Sequence, residues 1–450
     1  MTISRLFCAC ISLALATGCA TVQLSPEASI VRLEQQRTAS PKSVAVLRAL
    51  GVQYYKQQRF ADARAALTEA ATLAPSDGVV ALYLGLSAEG MNDLPAAKAA
   101  YSSYLKVGRT QRVRSQLEAR LAAMQRRELQ DAAKAAVQRE ATMSMTPGPA
   151  TTVAVMPFSF TGADSSLKPL ERGFAELLTT DLSRVKALTV VDRARLQAIL
   201  DEIKLQQTAN VDSTTTVRAG KLIQAGTLVQ GSIIQTADKL RADAALVSVA
   251  TSQVGQTPAT DEQTMARIFD IEKTIAIKLS MTLAGNQLTV AERDAIEQRP
   301  TRSLQAFLAY SQGLQYEDQG RFDDASRAYG NAARIDPGFG AASQKSAATH
   351  NLAVGNTVTG ASVEAGLKGS SEGAIVTAAA QGSTAPSAGA SGSAAQAAAE
   401  QLNPSTVSAA TGGTTTSTTN PQRDPSAGTG TDNPTAPQSK VVIVIKPPTA

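Results

Sequence analysis

The sequence predicts a mixed-sheet α/β domain flanked by all-α repeat segments and followed by a disordered carboxyl-terminal tail. Three observations carry this. Between residues 151 and 285, apolar runs of strand character alternate with segments of helical period. On either side of that stretch, small and large residues recur at intervals that mark helical hairpins. Past His350 the chain has no aromatic residue, and Gly, Ser, Thr, Ala and Pro dominate.

The start, "MTISRLFCACISLALATGCA", has Arg5, an apolar run from Leu6 to Ala16, and small residues before Cys19. The run is too short to span a membrane as a helix and reads as a secretory signal over residues 1–18. Leu15 to Cys19 resembles a bacterial lipobox, which implies lipidation of Cys19. Each buried methylene contributes about 0.8 kcal/mol, so several acyl chains on one cysteine anchor a protein stably. Ala20 stands where Asp would resemble an inner-membrane retention signal. The expected location is therefore the periplasmic face of the outer membrane. All three cysteines lie in these first residues, so no disulfide framework is expected beyond them.

From Val44 a period of 34 residues appears: Leu50-Gly51 recurs as Leu84-Gly85, Ala63 as Ala97, and Leu67 as Tyr101. With Tyr54, Ala70 and Pro75 this resembles the tetratricopeptide repeat (TPR), twice over residues 44–111. Gly51 and Ala63 let the two helices of a hairpin approach closely, and Pro75 stops the second. A third copy carries Gly313, Tyr316, Ala325, Tyr329, Ala332 and Pro337, and with its cap covers residues 306–352. About three adjacent repeats are normally needed for stability, so each piece needs a cap. For the first pair the cap is a long helix over 112–142, with Val113, Leu117, Leu121 and Met124 at helical spacing. Its Arg112, Arg114, Arg120, Arg126 and Arg127 are expected on the solvated face. The repeats imply protein partners held in a groove offering Arg48, Val52, Tyr55 and Lys56 from the first copy and Leu82, Leu86 and Glu89 from the second. Val52 stands where the carboxylate clamp of chaperone-binding repeats needs Asn.

"MTPGPATT" breaks the long helix, and the α/β domain begins with the strand "VAVMPF". Leu170, Phe174, Leu177, Leu178 and Leu182 line one face of the next helix, followed by the strand "LTVV". In "VVDRARLQAILDEIKL" Asp192 reads as an N-cap, contributing about 1 kcal/mol. Leu196, Ile199, Leu200 and Ile203 define the buried face, so Asp201 and Glu202 diverge toward solvent. A third helix ends at Gly226, the strands "TLVQGSII" and "LRADAALVSV" pair, and a last helix carries Ile268, Ile271, Ile275, Leu279 and Leu283. Residues 355–438 read as a disordered low-complexity tail, and 439–447 as an isolated β-prone segment able to add a strand to a sheet edge.

Little in this chain reads as catalytic. His350, the sole histidine, lies far from any acid-rich stretch. Gly220-Lys221 is followed by Leu222 rather than a hydroxyl residue, and Ser183-x-x-Lys186 lacks partner motifs. No catalytic residue, metal ligand or cofactor is expected. The net charge of +5 comes without any Lys/Arg cluster interleaved with aromatics, which argues against nucleic acid as a partner.

Taken together, "VAVMPF", "GFAELLTTDL", "TVVDRARLQAILDEIKLQQTANVD", "AGKLIQAGTLVQGSI" and "LRADAALVSVATSQVG" resemble the curli production assembly/transport family of the CsgG/HfaB type. The resemblance covers residues 151–285, which is also similar to the amino-terminal domain of TolB-like proteins. It implies an outer-membrane lipoprotein that self-associates through the α/β domain. The best-known member forms a secretion pore from two long β-hairpins. Here only Gln235 to Lys239 separate the two strands, too few for membrane-spanning strands of about 9–11 residues each. The expectation is an accessory scaffold without pore hairpins of its own. The alternative is a channel component whose pore strands come from elsewhere.

Overall fold

Residues 25–140, 146–206, 213–255, 260–285 and 287–384 are described by a computed structural model. The signal segment, Cys19 and the 439–447 run lie outside them.

Helix α1 (Pro26–Ala39) starts at Ser25, whose side chain accepts a hydrogen bond from the Ala28 N–H. Two helical hairpins follow, α2 (Val44–Lys56) with α3 (Phe60–Leu73), and α4 (Gly78–Gly90) with α5 (Leu94–Val107). The repeat chemistry is visible in each crossing. A Cβ on Gly51 would overlap the Leu67 side chain, and one on Gly85 would overlap the Tyr101 ring. Asp77 and Asp93 cap α4 and α5 through the N–H groups of Val80 and Ala96.

Helix α6 (Gln111–Glu140) is a strut with three contacts along its length. Val113 and Leu117 join the core of the first two hairpins. Its middle meets α14 (Gly340–Gly355), where Gly355 lies so close to the Ala119 carbonyl that no Cβ would fit. Ala133, Ala136 and Val137 at its far end pack into one layer of the α/β domain. This modifies the expected arginine face. Arg112 and Arg127 are exposed, but Arg120 pairs with Glu89, Arg114 reaches the Gly108 carbonyl and Arg126 stacks 4.2 Å over the Phe322 ring.

The sheet runs β3-β1-β4-β5-β6. Strand β1 (Thr152–Val155) is parallel to β3 (Thr189–Val190) and to β4 (Thr227–Thr236). The single strand expected over "VAVMPF" stops early, because Pro157 has no N–H for the ladder; β2 (Ser159–Thr161) resumes the pairing along β4. Strands β4 and β5 (Lys239–Ser248) form an antiparallel hairpin turned at Ala237-Asp238, and β6 (Gln263–Thr264) adds a short edge.

Alternation along β1 separates two layers. Val153 and Val155 face a core with α7 (Leu170–Leu182) and α10 (Ile268–Leu283). Ala154 and Met156 face a second core with α8 (Arg193–Gln206) and α9 (Ser213–Leu222). The five leucine and phenylalanine positions expected on one face of α7 are all buried. Asp192 accepts hydrogen bonds from the N–H groups of Ala194 and Arg195, as an N-cap should. Asp201 departs from expectation: α6 packs over α8, so Asp201 is half-buried and burial pushes its carboxyl up.

Helix α11 (Val290–Glu297), absent from the sequence reading, carries a capping box between Thr289 and Glu292. Glu292 also accepts from the Lys186 N–H at 2.8 Å, and its hydrogen bonds pull its carboxyl down to about 2. The third hairpin is α12 (Leu304–Asp318) with α13 (Phe322–Ile335). It shares the α7–α10 core through Phe307, Tyr310, Tyr329 and Phe339.

The expected start of disorder at 355 is wrong. Helices α15 (Gly360–Gly366) and α16 (Ser371–Ala380) follow α14; α15 packs on α6, and α16 packs on α2 and α4 of the first two hairpins. Val363, Leu367 and Val376 are at most 7% exposed. Composition shows that such a segment cannot build a core alone, but it does not prevent folding onto an existing surface.

Candidate functional site

The first helices of the two amino-terminal hairpins, α2 and α4, are covered by α16, and α15 packs beside it on α6. Glu372, in the first turn of α16, is held by four donors. These are the Tyr104 hydroxyl at 2.7 Å, the Thr110 hydroxyl, and the N–H groups of Arg109 and Thr110 at 3.2 and 3.1 Å. The last two open the amino end of α6, whose dipole favours an anion. A Cβ on Gly78 would run into the Glu372 carboxylate, so glycine there makes room for that side chain.

At the other end of α16, Gln53 Nε2 donates to the carbonyls of Ala379 and Ala380, at 2.9 and 2.8 Å. These belong to the carbonyls that a helix terminus leaves without internal partners. The Tyr83 hydroxyl donates to Glu364 of α15 at 2.5 Å. Burial and the neighbouring glutamate push the phenols of Tyr83 and Tyr104 well up, so both remain donors across the ordinary pH range.

The groove residues read from sequence fall into different surroundings. Val52 and Leu82 are fully buried, and Leu86 nearly so. Tyr55 and Leu86 come together at Gly360, the first residue of α15. Burial, followed by Glu364 and Glu89, raises the Tyr55 phenol to about 12. Arg48 is ion-paired with Asp77. Glu89 is engaged by Arg120 and by the Tyr101 hydroxyl. Lys56 is exposed at the end of α2. Sequence reasoning missed Gln53, Tyr83, Tyr104 and Thr110. Buried tyrosine hydroxyls need hydrogen-bond partners, and that requirement was the available signal.

A second polar constellation locks the third hairpin to the α/β domain. Arg193, the first residue of α8, meets Glu176 of α7 at 3.2 Å and Glu317 of α12 at 3.0 Å, and also pairs with Asp318. Glu317 further accepts from Tyr329 at 2.6 Å and pairs with Lys345 at 3.2 Å. Arg172 stands 3.5 Å from Asp318 across a small cleft lined by Val155, Pro157 and Gln197. These charges neutralise one another, and the arrangement suits fixation of two helical layers. Among the described residues, no group of three or more His, Cys, Asp or Glu is placed to hold a metal ion. No helix among them is long and apolar enough to cross a membrane.

Residues 121–265 match the family model of the curli production assembly/transport component CsgG, and residues 44–77 match that of the tetratricopeptide repeat. The first match begins inside α6, ahead of the expected boundary at 151. That agrees with the packing of Ala133, Ala136 and Val137 into the α/β layer. No curated protein matches the chain. Among solved structures it is similar to TolB from Acinetobacter baumannii, with 19% identity and a TM-score of 0.21, over 32% of this chain and 30% of that one. The chain thus spans less than a third of that protein's length, and the likeness carries no further argument.

Proposed function

We propose that this chain is a lipid-anchored scaffold on the periplasmic face of the outer membrane, serving the assembly or secretion of a surface structure. The α/β layer docks on that apparatus or on further copies of itself, and the amino-terminal repeats hold a protein partner. The role is non-enzymatic. The observation that carries the reading is the way α6 joins the two parts. One helix contributes Val113 and Leu117 to the repeat core and Ala133, Ala136 and Val137 to the layer matching the curli component. A partner held by the repeats is thereby coupled rigidly to whatever the α/β layer docks on.

The β4–β5 connection supports an accessory rather than a pore-forming role, because the hairpin closes at Ala237-Asp238 with no insert. Membrane fractionation of the wild-type chain and a Cys19→Ser variant tests the anchor. The wild type is expected in the outer-membrane fraction and the variant in the soluble periplasm; an unchanged distribution refutes the anchor. Recording from purified chain in planar bilayers tests the accessory role, and discrete single-channel conductance would overturn it.

A further inference from the structure

We propose that residues 357–382 are a displaceable ligand of the groove formed by the first two hairpins, and that the groove's partner in trans is a short small-residue helix with glutamate in its first turn. The inference rests on reading the repeats as a protein-binding module, and it specifies both what they bind and what controls access.

The contacts combine apolar burial in the core of the first two hairpins with polar recognition at both ends of α16. The groove reads α16 by its two ends: Glu372 fills a recess made by Tyr104, Thr110 and the amino end of α6, and Gln53 takes the carbonyls of Ala379 and Ala380. A second glutamate, Glu364, meets Tyr83. Between these anchors the filling is small: Val363, Leu367, Val376, Ala378 and Ala379 are buried, and no aromatic side chain is contributed. Helices of 7 and 10 residues fall below the length of about 12–15 at which isolated helices hold together, so the groove itself orders them.

The segment is also built to leave. It joins α14 through Asn356 to Thr359, and its two helices meet at a turn where Gly369 adopts a φ of 78°. Beyond it the sequence continues into a Gly/Ser/Thr/Ala stretch whose composition opposes a core. By contrast, α14 just before it is fixed by the backbone-close contact of Gly355 with Ala119. Being tethered, the segment competes at high effective concentration, and a free ligand of equal intrinsic affinity is excluded until the tether is weakened or outcompeted.

The test uses the full chain, a Glu364→Gln/Glu372→Gln variant, and a variant with a long Gly-Ser insertion after Asn356. The insertion keeps every groove contact but dilutes the tether. Hydrogen exchange by mass spectrometry follows 360–380 and α2–α5 separately. A fluorescein-labelled peptide of residues 357–382 is titrated by anisotropy. In the double variant, exchange of 360–380 should rise at least about tenfold, the effect of losing charged hydrogen bonds, while α2–α5 stay protected. The peptide should bind both variants more tightly than wild type, and its Glu372→Gln version should bind at least about tenfold more weakly.

The proposal is overturned if α2–α5 lose protection together with 360–380, or if the peptide binds neither variant. The two readings fail separately. Peptide binding by a chain that fractionates away from the outer membrane would keep this inference and remove the scaffold reading, and the converse result would do the reverse.

Discussion

Arg193 is the side chain on which the joint between the α/β layer and the third hairpin depends, and Arg193→Met tests that. Its guanidinium is 15% exposed and serves three carboxylates that are themselves only 9–16% exposed. Replacement by an apolar side chain of similar length keeps most of the packing and removes the charge. Glu317 then retains Lys345 and Tyr329, and Asp318 retains Arg172 at 3.5 Å. Glu176 loses its cation. Breaking a buried pair in this way costs about 3–5 kcal/mol, because a charge stays behind without compensation. The sign of the pH dependence follows. Burial already holds the Asp318 carboxyl up in the presence of Arg193, and without the Arg193 charge it rises further. A carboxylate with a raised folded-state pKa brings no penalty below the unfolded-state pKa, and its penalty grows as pH rises through the folded value. The deficit should therefore be smaller at pH 5 than at pH 8. Native-state hydrogen exchange of α7 and α12 amides measures it as a free energy of opening. A loss below about 1 kcal/mol, or a deficit equal at both pH values, would refute the reasoning.

Two further substitutions probe the same layer. Gly173→Ala places a methyl group inside the Ser311 hydroxyl and within 2.9 Å of Phe307 Cζ, at the closest crossing of α7 and α12. A loss of about 1–3 kcal/mol is expected, with recovery in Gly173→Ala/Ser311→Gly; a lack of recovery in urea titrations would place the cost elsewhere. Glu272 is fully buried beside Lys273 and Asp181, and burial pushes its carboxyl well up, followed by the Asp181 charge. Stability tied to that raised value is present at low pH and declines as pH climbs from the ordinary carboxylate range toward the folded value. Glu272→Gln cannot titrate, so the variant's melting temperature relative to wild type should improve between pH 5 and pH 8. A difference that stays constant would contradict a protonated Glu272.

What the sequence made legible was decided by short-range physics. The strands of the α/β layer, the apolar face of α7 and the cap at Asp192 depend on neighbours within one or two turns, and periodicity reports those directly. The recurrence of Gly51 and Ala63 at 34 residues encodes a crossing within one hairpin, which is also local. The sequence did not show which surfaces would be covered from afar. Asp201 points away from the sheet as its helical phase requires, but α6, from some 80 residues earlier in the chain, closes over that face. The arginines of α6 follow the same logic, because a solvated face can be assigned only when every other element has been placed.

The groove shows that this blindness was not total at 357–382. The composition of that stretch argues that it cannot fold alone, and that remains sound. Yet it contains helix-start signals that a disordered segment does not need. Thr359 and Ser362 form a reciprocal cap, and Ser370 accepts from the Gly373 N–H with Glu372 in the first turn. Caps stabilise a helix by only about 1 kcal/mol, too little to form one of 7 or 10 residues in water. Their presence in an otherwise core-poor stretch makes sense where the remaining stabilisation is supplied by a surface, and the groove with Gln53, Tyr83 and Tyr104 is that surface. Capping signals inside a low-complexity segment thus point to folding on a partner, and here the partner lies some 300 residues earlier in the same chain.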